Sequence, residues 1–382
     1  MKIGIYNPAV GIRKSGGTET FLREIMKRLQ EKHDIILFIG KGELLDEIRQ
    51  MDIKVVQIPF IEKNSKLSKN LQKLNIGPIA FEIESISMYL KARNVLKDIL
   101  KKEKLDVLST HYYLDNLLLS RFCKKLNIPV IFRFPGIKYG SIRWKIMAKY
   151  AKSALYIANS MSTAKRVKKW LGIDVDGVVY PGVDIHKFKP DVEPIIKNDS
   201  DSFKILFVGR LEHGKGIPIL LRATKELIRR GCKVKTYIVG DGMLENEIRQ
   251  QIKGLKLEKY VKMVGAVSHN ELCRYYVSCD VFCLPSLHEG FPIVNLEAMA
   301  CGIPVISTKM DAILEQIIDE KEGLLFRKGD YKDLANKIEY LYYNEDVRKK
   351  LGKNARKKVI KKFSWEKSVK EMEVLYERAT ES

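Results

Sequence analysis

Val281-Phe282-Cys283-Leu284-Pro285-Ser286-Leu287-His288-Glu289-Gly290-Phe291-Pro292-Ile293-Val294-Asn295-Leu296-Glu297-Ala298-Met299-Ala300-Cys301-Gly302 is an apolar run stopped by proline, a loop, and a helical run closed by glycine. It reads as strand, loop and helix in succession, the repeating unit of an α/β fold. Glu289 falls in the loop and Glu297 in the helix, which reads from Leu296 to Cys301. If the eight positions between them were all helical, the two carboxylates would stand about 12 Å apart along the axis, from a rise of about 1.5 Å per residue. That separation suits the two ends of one extended ligand better than a shared proton or metal ion. Acidic residues near a strand-to-helix turn are common, so the spacing alone leaves a structural reading open. Against it stands Glu297 among Ala298, Met299 and Ala300, where a buried carboxylate needs hydrogen-bond donors. A pair of sugar or ribose hydroxyls would supply them.

The same alternation extends in both directions. Ile3 to Tyr6, Ile35 to Ile39, Val107 to Thr110, Val130 to Arg133 and Leu155 to Ala158 read as strands separated by helical patterns. The region from about 60 to 103 reads as mostly helical. Near Asp184 to Ser202 the pattern lapses into a proline- and serine-containing, linker-like stretch. A second series then opens at Phe203 to Val208 and continues through Lys235 to Val239, Val261 to Val264, Val281 to Leu284 and Val305 to Ser307. Strand-helix alternation implies parallel sheets covered by helices on both faces. The 382 residues suit two such domains of about 190 residues each.

Composition narrows the function classes. Hydrophobic residues make up 45% of the chain, as in a globular protein. No uncharged apolar run approaches the roughly 18 residues of a spanning helix, and the start reads as a first strand rather than a signal peptide. The six cysteines show neither a CxxC pair nor zinc spacing, so reduced core thiols and a cytoplasmic location are expected. The net charge is +22, and no acidic residue occurs between Asp115 and Asp174. Trp144, Ile146, Met147 and Tyr150 interleave with Arg143, Lys145, Lys149 and Lys152, a pattern that fits an amphipathic helix lying on an acidic membrane through the basic region 138–170. A solvated lysine face is the alternative. No nucleic-acid module accompanies the charge, so nucleic acid is not expected as a partner.

Ligands of open α/β sheets collect where strands end, which directs attention to the exit loops. After the first strand come Ser15-Gly16-Gly17-Thr18-Glu19, a glycine turn into a helix that can present backbone N–H groups to a phosphate. After the first strand of the second series comes Gly209-Arg210-Leu211-Glu212-His213-Gly214-Lys215-Gly216, where Arg210 and Lys215 can clamp a diphosphate with one forked and one compact cation. Val239-Gly240-Asp241-Gly242 is a further glycine turn without its own chemistry.

Together these pieces resemble glycosyltransferase family 4, retaining sugar transferases of the GT-B architecture, in which two doubly wound Rossmann-like domains face each other across a cleft. The resemblance covers nearly the whole chain and is most specific from 205 to 307. Glu289 and Glu297 match the family's paired glutamates separated by seven residues, and Gly290-Phe291-Pro292 matches the interior of that motif. Arg210 and Lys215 match its diphosphate-binding pair, and Gly16 and Gly17 its N-terminal glycine loop. Phe363-Ser364-Trp365-Glu366 resembles the start of its final helix. The resemblance implies an acceptor-side domain at 1–185, a donor-side domain at 186–364, and a helix at 365–382 that crosses back to the first domain.

It also implies roles. Glu289 would bind sugar hydroxyls, Glu297 the ribose, and Arg210 with Lys215 the diphosphate, with Gly16, Gly17, Gly290, Phe291 and Pro292 completing the donor-binding set. The donor would be a UDP-, GDP- or ADP-sugar, and the acceptor a glycan, a lipid-linked sugar or a small molecule. No metal or other cofactor is required, because the cations stabilise the departing diphosphate themselves. Asp174-Val175-Asp176 has the spacing of the metal-binding pair of other sugar transferases, but the resemblance assigns it no metal. One position departs from the family: Pro135 stands where a histidine is usual. His111, at the end of the Val107 to Thr110 strand, is the nearest alternative for a catalytic imidazole, and Arg133 a candidate contact for an anionic acceptor. Two other functions remain open from the residues: a non-catalytic nucleotide-sugar or polyanion binder, and an NAD-dependent oxidoreductase, which would need a three-glycine fingerprint that neither first-strand loop supplies.

Overall fold

The structure, a computed structural model, describes residues 1–7, 17–40, 44–58, 96–136, 142–196 and 202–381. The chain divides into two compact units, Met1–Tyr180 with Ser368–Ser382, and Pro181–Lys367.

The described residues of the first unit form seven parallel strands: β1 (Lys2–Tyr6), β2 (Asp34–Gly40), β3 (Lys54–Ile58), β4 (Val107–Thr110), β5 (Val130–Phe134), β6 (Leu155–Ala158) and β7 (Gly177–Val178). Their order is β3-β2-β1-β4-β5-β6-β7, so the direction of winding reverses between β1 and β4. The central strands are buried along their length because helices cover both faces. Helix Gly17–Leu29 buries Phe21, Leu22, Ile25, Met26 and Leu29, an apolar stripe at helical spacing. Helix Met161–Leu171 starts at Ser160, whose Oγ accepts from the Thr163 N–H, and ends at Gly172, which is left-handed at φ 70°.

The last helix, Trp365–Thr380, spans the boundary between the units, and its residues from Ser368 onward belong with the first. There Ser368 Oγ donates to the Tyr180 carbonyl at 2.7 Å. Glu373 pairs with His33 at 3.1 Å, Arg378 with Asp176 at 3.3 Å, and Tyr376 is buried.

The second unit is built on six parallel strands: β8 (Phe203–Val208), β9 (Val234–Val239), β10 (Val261–Gly265), β11 (Val281–Leu284), β12 (Val305–Thr308) and β13 (Gly323–Phe326). Their order, β10-β9-β8-β11-β12-β13, places the reversal between β8 and β11. All six cysteines are free and buried. No helix of the described residues is long and apolar enough to cross a membrane.

Three sequence expectations change. The stretch read as linker-like lies within the second unit: Phe188 is buried, and the Ile195 and Ile196 N–H groups donate to Ser278 Oγ at 2.9 and 3.1 Å. The edge strands β3 and β13 were not foreseen, because five- and four-residue strands flanked by charged residues carry little periodicity. The apolar residues of helix Ile142–Tyr150 do not share an outer face. Met147 is buried, and Trp144 packs on Phe134 and Tyr113, each with ring centroids 5.6 Å away. Only Ile146 and Tyr150 among those four are exposed. The helical reading of 60–95 lies outside the described residues.

Candidate active site

The exits of β8 and β11 are neighbours at the switch point of the second sheet, and the backbone locks them together. Gly216 adopts φ +67°, and a Cβ placed on it would stand 1.9 Å from the Pro285 carbonyl oxygen. Only glycine permits that approach. The Leu287 N–H donates to the Gly214 carbonyl at 2.8 Å, tying the second loop to the first. As a result Lys215 and Glu289, 74 positions apart in sequence, meet with Nζ 2.7 Å from Oε1. Both side chains are largely shielded from solvent, so the pair is held more firmly than a surface ion pair would be.

Arg210 leaves the same β8 loop but does not join this pair; its guanidinium bonds Glu212 at 2.7 Å and is half exposed. Helix Ile293–Ala300 begins after Pro292, so Glu289, Gly290, Phe291 and Pro292 form a loop ahead of the helix rather than its first turn. Phe291 is buried, with its ring 5.6 Å from that of Phe363.

Glu297 is buried, and the protein itself supplies the hydrogen bonds its burial demands. Tyr276 donates its hydroxyl to Oε2 at 2.8 Å, and His269 Nε2 stands 2.9 Å from Oε1. Burial and the adjacent Glu297 carboxylate raise Tyr276 well above the usual phenol range, so it remains a donor. Ligand hydroxyls are therefore not needed to satisfy Glu297, contrary to the expectation from its apolar neighbours. Its oxygens still carry lone pairs beyond those the two donors occupy. His269 and Tyr276 were not singled out in the sequence. His269 stands in the turn ahead of helix Leu272–Tyr276 and Tyr276 at that helix's end, so no periodicity in the sequence links the two.

The candidates of the first unit have a different character. Gly17 opens its helix with open space where a Cβ would be, while Gly16 lies outside the described residues. His111 is buried at the end of β4, its Nε2 3.1 Å from Ser109 Oγ and its Nδ1 without a partner among the described residues. Burial, aided by the charge of Arg133, pushes its pKa down to about 3. An imidazole so reluctant to take a proton is poorly matched to proton abstraction near neutral pH. Arg133 is buried too, with its guanidinium 3.5 Å from the centre of the Phe21 ring and its pKa pushed down to about 9, chiefly by burial. It belongs neither to the basic surface nor to an open binding face. Asp174 pairs with Lys168, and Asp176 with Arg378.

Two parallel, doubly wound Rossmann-like sheets in one chain are the GT-B fold. Comparison with known proteins extends this. The family model described as "Glycosyltransferase Family 4" matches residues 15–187, and "Glycosyl transferases group 1" matches residues 188–358. An uncharacterised glycosyltransferase of Methanocaldococcus jannaschii is 30% identical over 388 residues, covering 99% of this chain and 97% of that protein. The Escherichia coli UDP-Gal:alpha-D-GlcNAc-diphosphoundecaprenol alpha-1,3-galactosyltransferase is 26% identical, covering 95% and 93%. Sucrose-phosphate synthase from Thermosynechococcus elongatus superposes with a TM-score of 0.80 at 20% identity, covering 99% and 98%. The chain belongs to glycosyltransferase family 4, and it is a transferase enzyme. The oxidoreductase and non-catalytic readings are thereby set aside.

Proposed function

We propose that this enzyme transfers a sugar, with retention of anomeric configuration, from a nucleoside diphosphate sugar to a lipid-linked or other anionic glycan acceptor. The observation that carries the reading is the Lys215–Glu289 pair at the β8/β11 switch point, with Arg210 in the same loop. Lys215 and Arg210 bind the diphosphate. Their attraction grows as the bond from the anomeric carbon to the phosphate oxygen breaks, because negative charge accumulates on the leaving group. Glu289 accepts hydrogen bonds from sugar hydroxyls, and Glu297 uses its remaining lone pairs for the ribose. The acceptor oxygen attacks the anomeric carbon on the face the diphosphate leaves, and a phosphate oxygen takes the acceptor's proton. No protein base is needed, which agrees with proline at position 135 and with a buried His111.

The galactosyltransferase of Escherichia coli, by its name, uses a UDP-sugar and a diphosphate-linked lipid acceptor. This supports a UDP-sugar as the first donor to try, and an acceptor of that kind fits the acid-free stretch between Asp115 and Asp174. The enzyme would then act in polysaccharide biosynthesis at the cytoplasmic face of a membrane. Thermal-shift titration with UDP-, GDP- and ADP-sugars tests the donor, since a ligand at 100 times its Kd stabilises the fold by about 2.7 kcal/mol. NMR of the product's anomeric proton tests retention. The reading fails if none of the three donor classes stabilises the protein and none supports transfer.

A further inference from the structure

Glu297 is held by a chain of side chains that starts at a cation. Asp184 Oδ1 accepts from the backbone N–H groups of His186 and Lys187, both at 3.0 Å, which forms a turn ahead of Lys187. Lys187 Nζ then lies 2.7 Å from His269 Nδ1 and 2.8 Å from Asn270 Oδ1. His269 Nε2 continues to Glu297 Oε1 at 2.9 Å, and Tyr276 closes on the other oxygen. Phe188 braces the set, its ring edge-on to His269 at 5.2 Å and to Tyr276 at 6.0 Å.

Proton bookkeeping fixes the state of this chain. A lysine ammonium has donors only, so His269 Nδ1 must accept and carries no proton. A neutral imidazole then carries its proton on Nε2, which donates to the carboxylate. The alternative tautomer would set an N–H against the ammonium and a bare nitrogen against a carboxylate. We infer that Lys187 and His269 are positioning residues of the transfer reaction: Lys187 locks His269 as the Nε2–H tautomer, and His269 holds Glu297 correctly turned for the donor. His269 is 46% exposed in its side chain, against 5% for Glu297. The buried carboxylate thus owes its orientation to a residue that solvent and ligand can reach. This inference rests on the reading of Glu297 as a donor ligand.

Long-range proton-nitrogen NMR of histidine-labelled protein tests the tautomer directly, with the His269 signals assigned by their loss in His269→Gln. The expected result is an unprotonated Nδ1 and a protonated Nε2 in the wild type, and a mixture of tautomers in Lys187→Met. Donor kinetics supply the functional half. His269→Leu should raise the donor KM on the order of 10-fold, the loss of one charge-assisted hydrogen bond, with kcat changed far less. His269→Gln should recover most of that loss, because its amide offers a donor toward Glu297 and an acceptor toward Lys187. A protonated Nδ1 in the wild type, or equal KM values for the Leu and Gln variants, overturns the inference. Titration of Glu297→Gln with UDP, GDP and ADP separates the two claims. If binding of all three is unchanged while the Nε2–H tautomer is observed, Glu297 is not a donor ligand and the locked relay stands as drawn. If binding weakens but Lys187→Met leaves the tautomer unaltered, the relay is wrong and the role of Glu297 holds.

Discussion

Lys215 Nζ and Glu289 Oε1 lie 2.7 Å apart, and the residues that bear them leave neighbouring strands on the two sides of the sheet's switch point. On the proposed reading this pairs the cation for the diphosphate with the carboxylate for the sugar. Replacing Glu289 by Gln keeps the shape and an acceptor oxygen but removes the charge. Transfer should fall by about 100-fold or more, on the scale of losing one electrostatic group of a catalytic site, while the urea midpoint moves little. Wild-type turnover in Glu289→Gln would remove it from the site. Lys215→Met strands the carboxylate in a shielded position and should cost about 1–3 kcal/mol of stability in addition to activity.

Gly216 allows the β8 and β11 exits to touch. Alanine there would carry a left-handed φ of +67° and set its Cβ against the Pro285 carbonyl, with backbone on both sides of the clash. Gly216→Ala should destabilise the second unit by about 2 kcal/mol or more and separate Lys215 from Glu289. Chemical denaturation measures the first effect, and loss of transfer by the folded fraction measures the second.

His111 gives the first unit an acid sensitivity. Its pKa is about 3 in the fold against an ordinary 6.5, so below 6.5 the unfolded chain takes up a proton that the folded chain refuses. The stability it permits is fully present above pH 6.5 and is lost as the pH falls toward 3. The slope it contributes is at most about 1.4 kcal/mol per pH unit. His111→Gln should flatten the fall in unfolding free energy between pH 6 and pH 4 without lowering kcat. An unchanged slope would mean that His111 is protonated in the fold.

Ile146 and Tyr150 are 43% and 41% exposed on the helix that also carries Lys145 and Lys149. If this face meets an acidic membrane, flotation with phosphatidylserine vesicles at low salt should recover the protein. Binding should fall on raising the salt, as screening shortens the reach of the lysines, and fall again in the double variant Ile146→Ser, Tyr150→Ser. Absence of flotation at low salt would leave the lysines as a solvated face.

Much of the fold is legible in the sequence because parallel strands buried on both faces leave continuous apolar runs. Ile3–Tyr6, Val107–Thr110, Phe203–Val208 and Val281–Leu284 are of this kind, and they are the central strands of the two sheets. Edge strand β3 is not legible, since its partly exposed residues leave a weak apolar pattern, and β13, though buried throughout, is only a four-residue run between Glu322 and Arg327. The exit loops that carry Arg210, Lys215 and Glu289 are legible because glycine turns after strands mark where backbone segments approach closely, as Gly216 does Pro285. Trp144 and Met147 show the reverse: interleaved with lysines they read as a membrane face, yet the aromatic cluster of Phe132 and Phe134 draws them inward.

By itself the sequence determined the α/β class, the two series of strands, and the paired glutamates with their two candidate cations. Each of these is a local pattern, set by periodicity or by residue type at short range. Tertiary structure alone decided that Lys215 belongs to Glu289, that His111 and Arg133 are sealed inside, and that Lys187, His269 and Tyr276 hold Glu297. Those pairings join residues brought together by the winding of the sheet and the docking of helices. A carboxylate's partners and protonation follow from which donors surround it in space, and spacing along the chain carries no record of them.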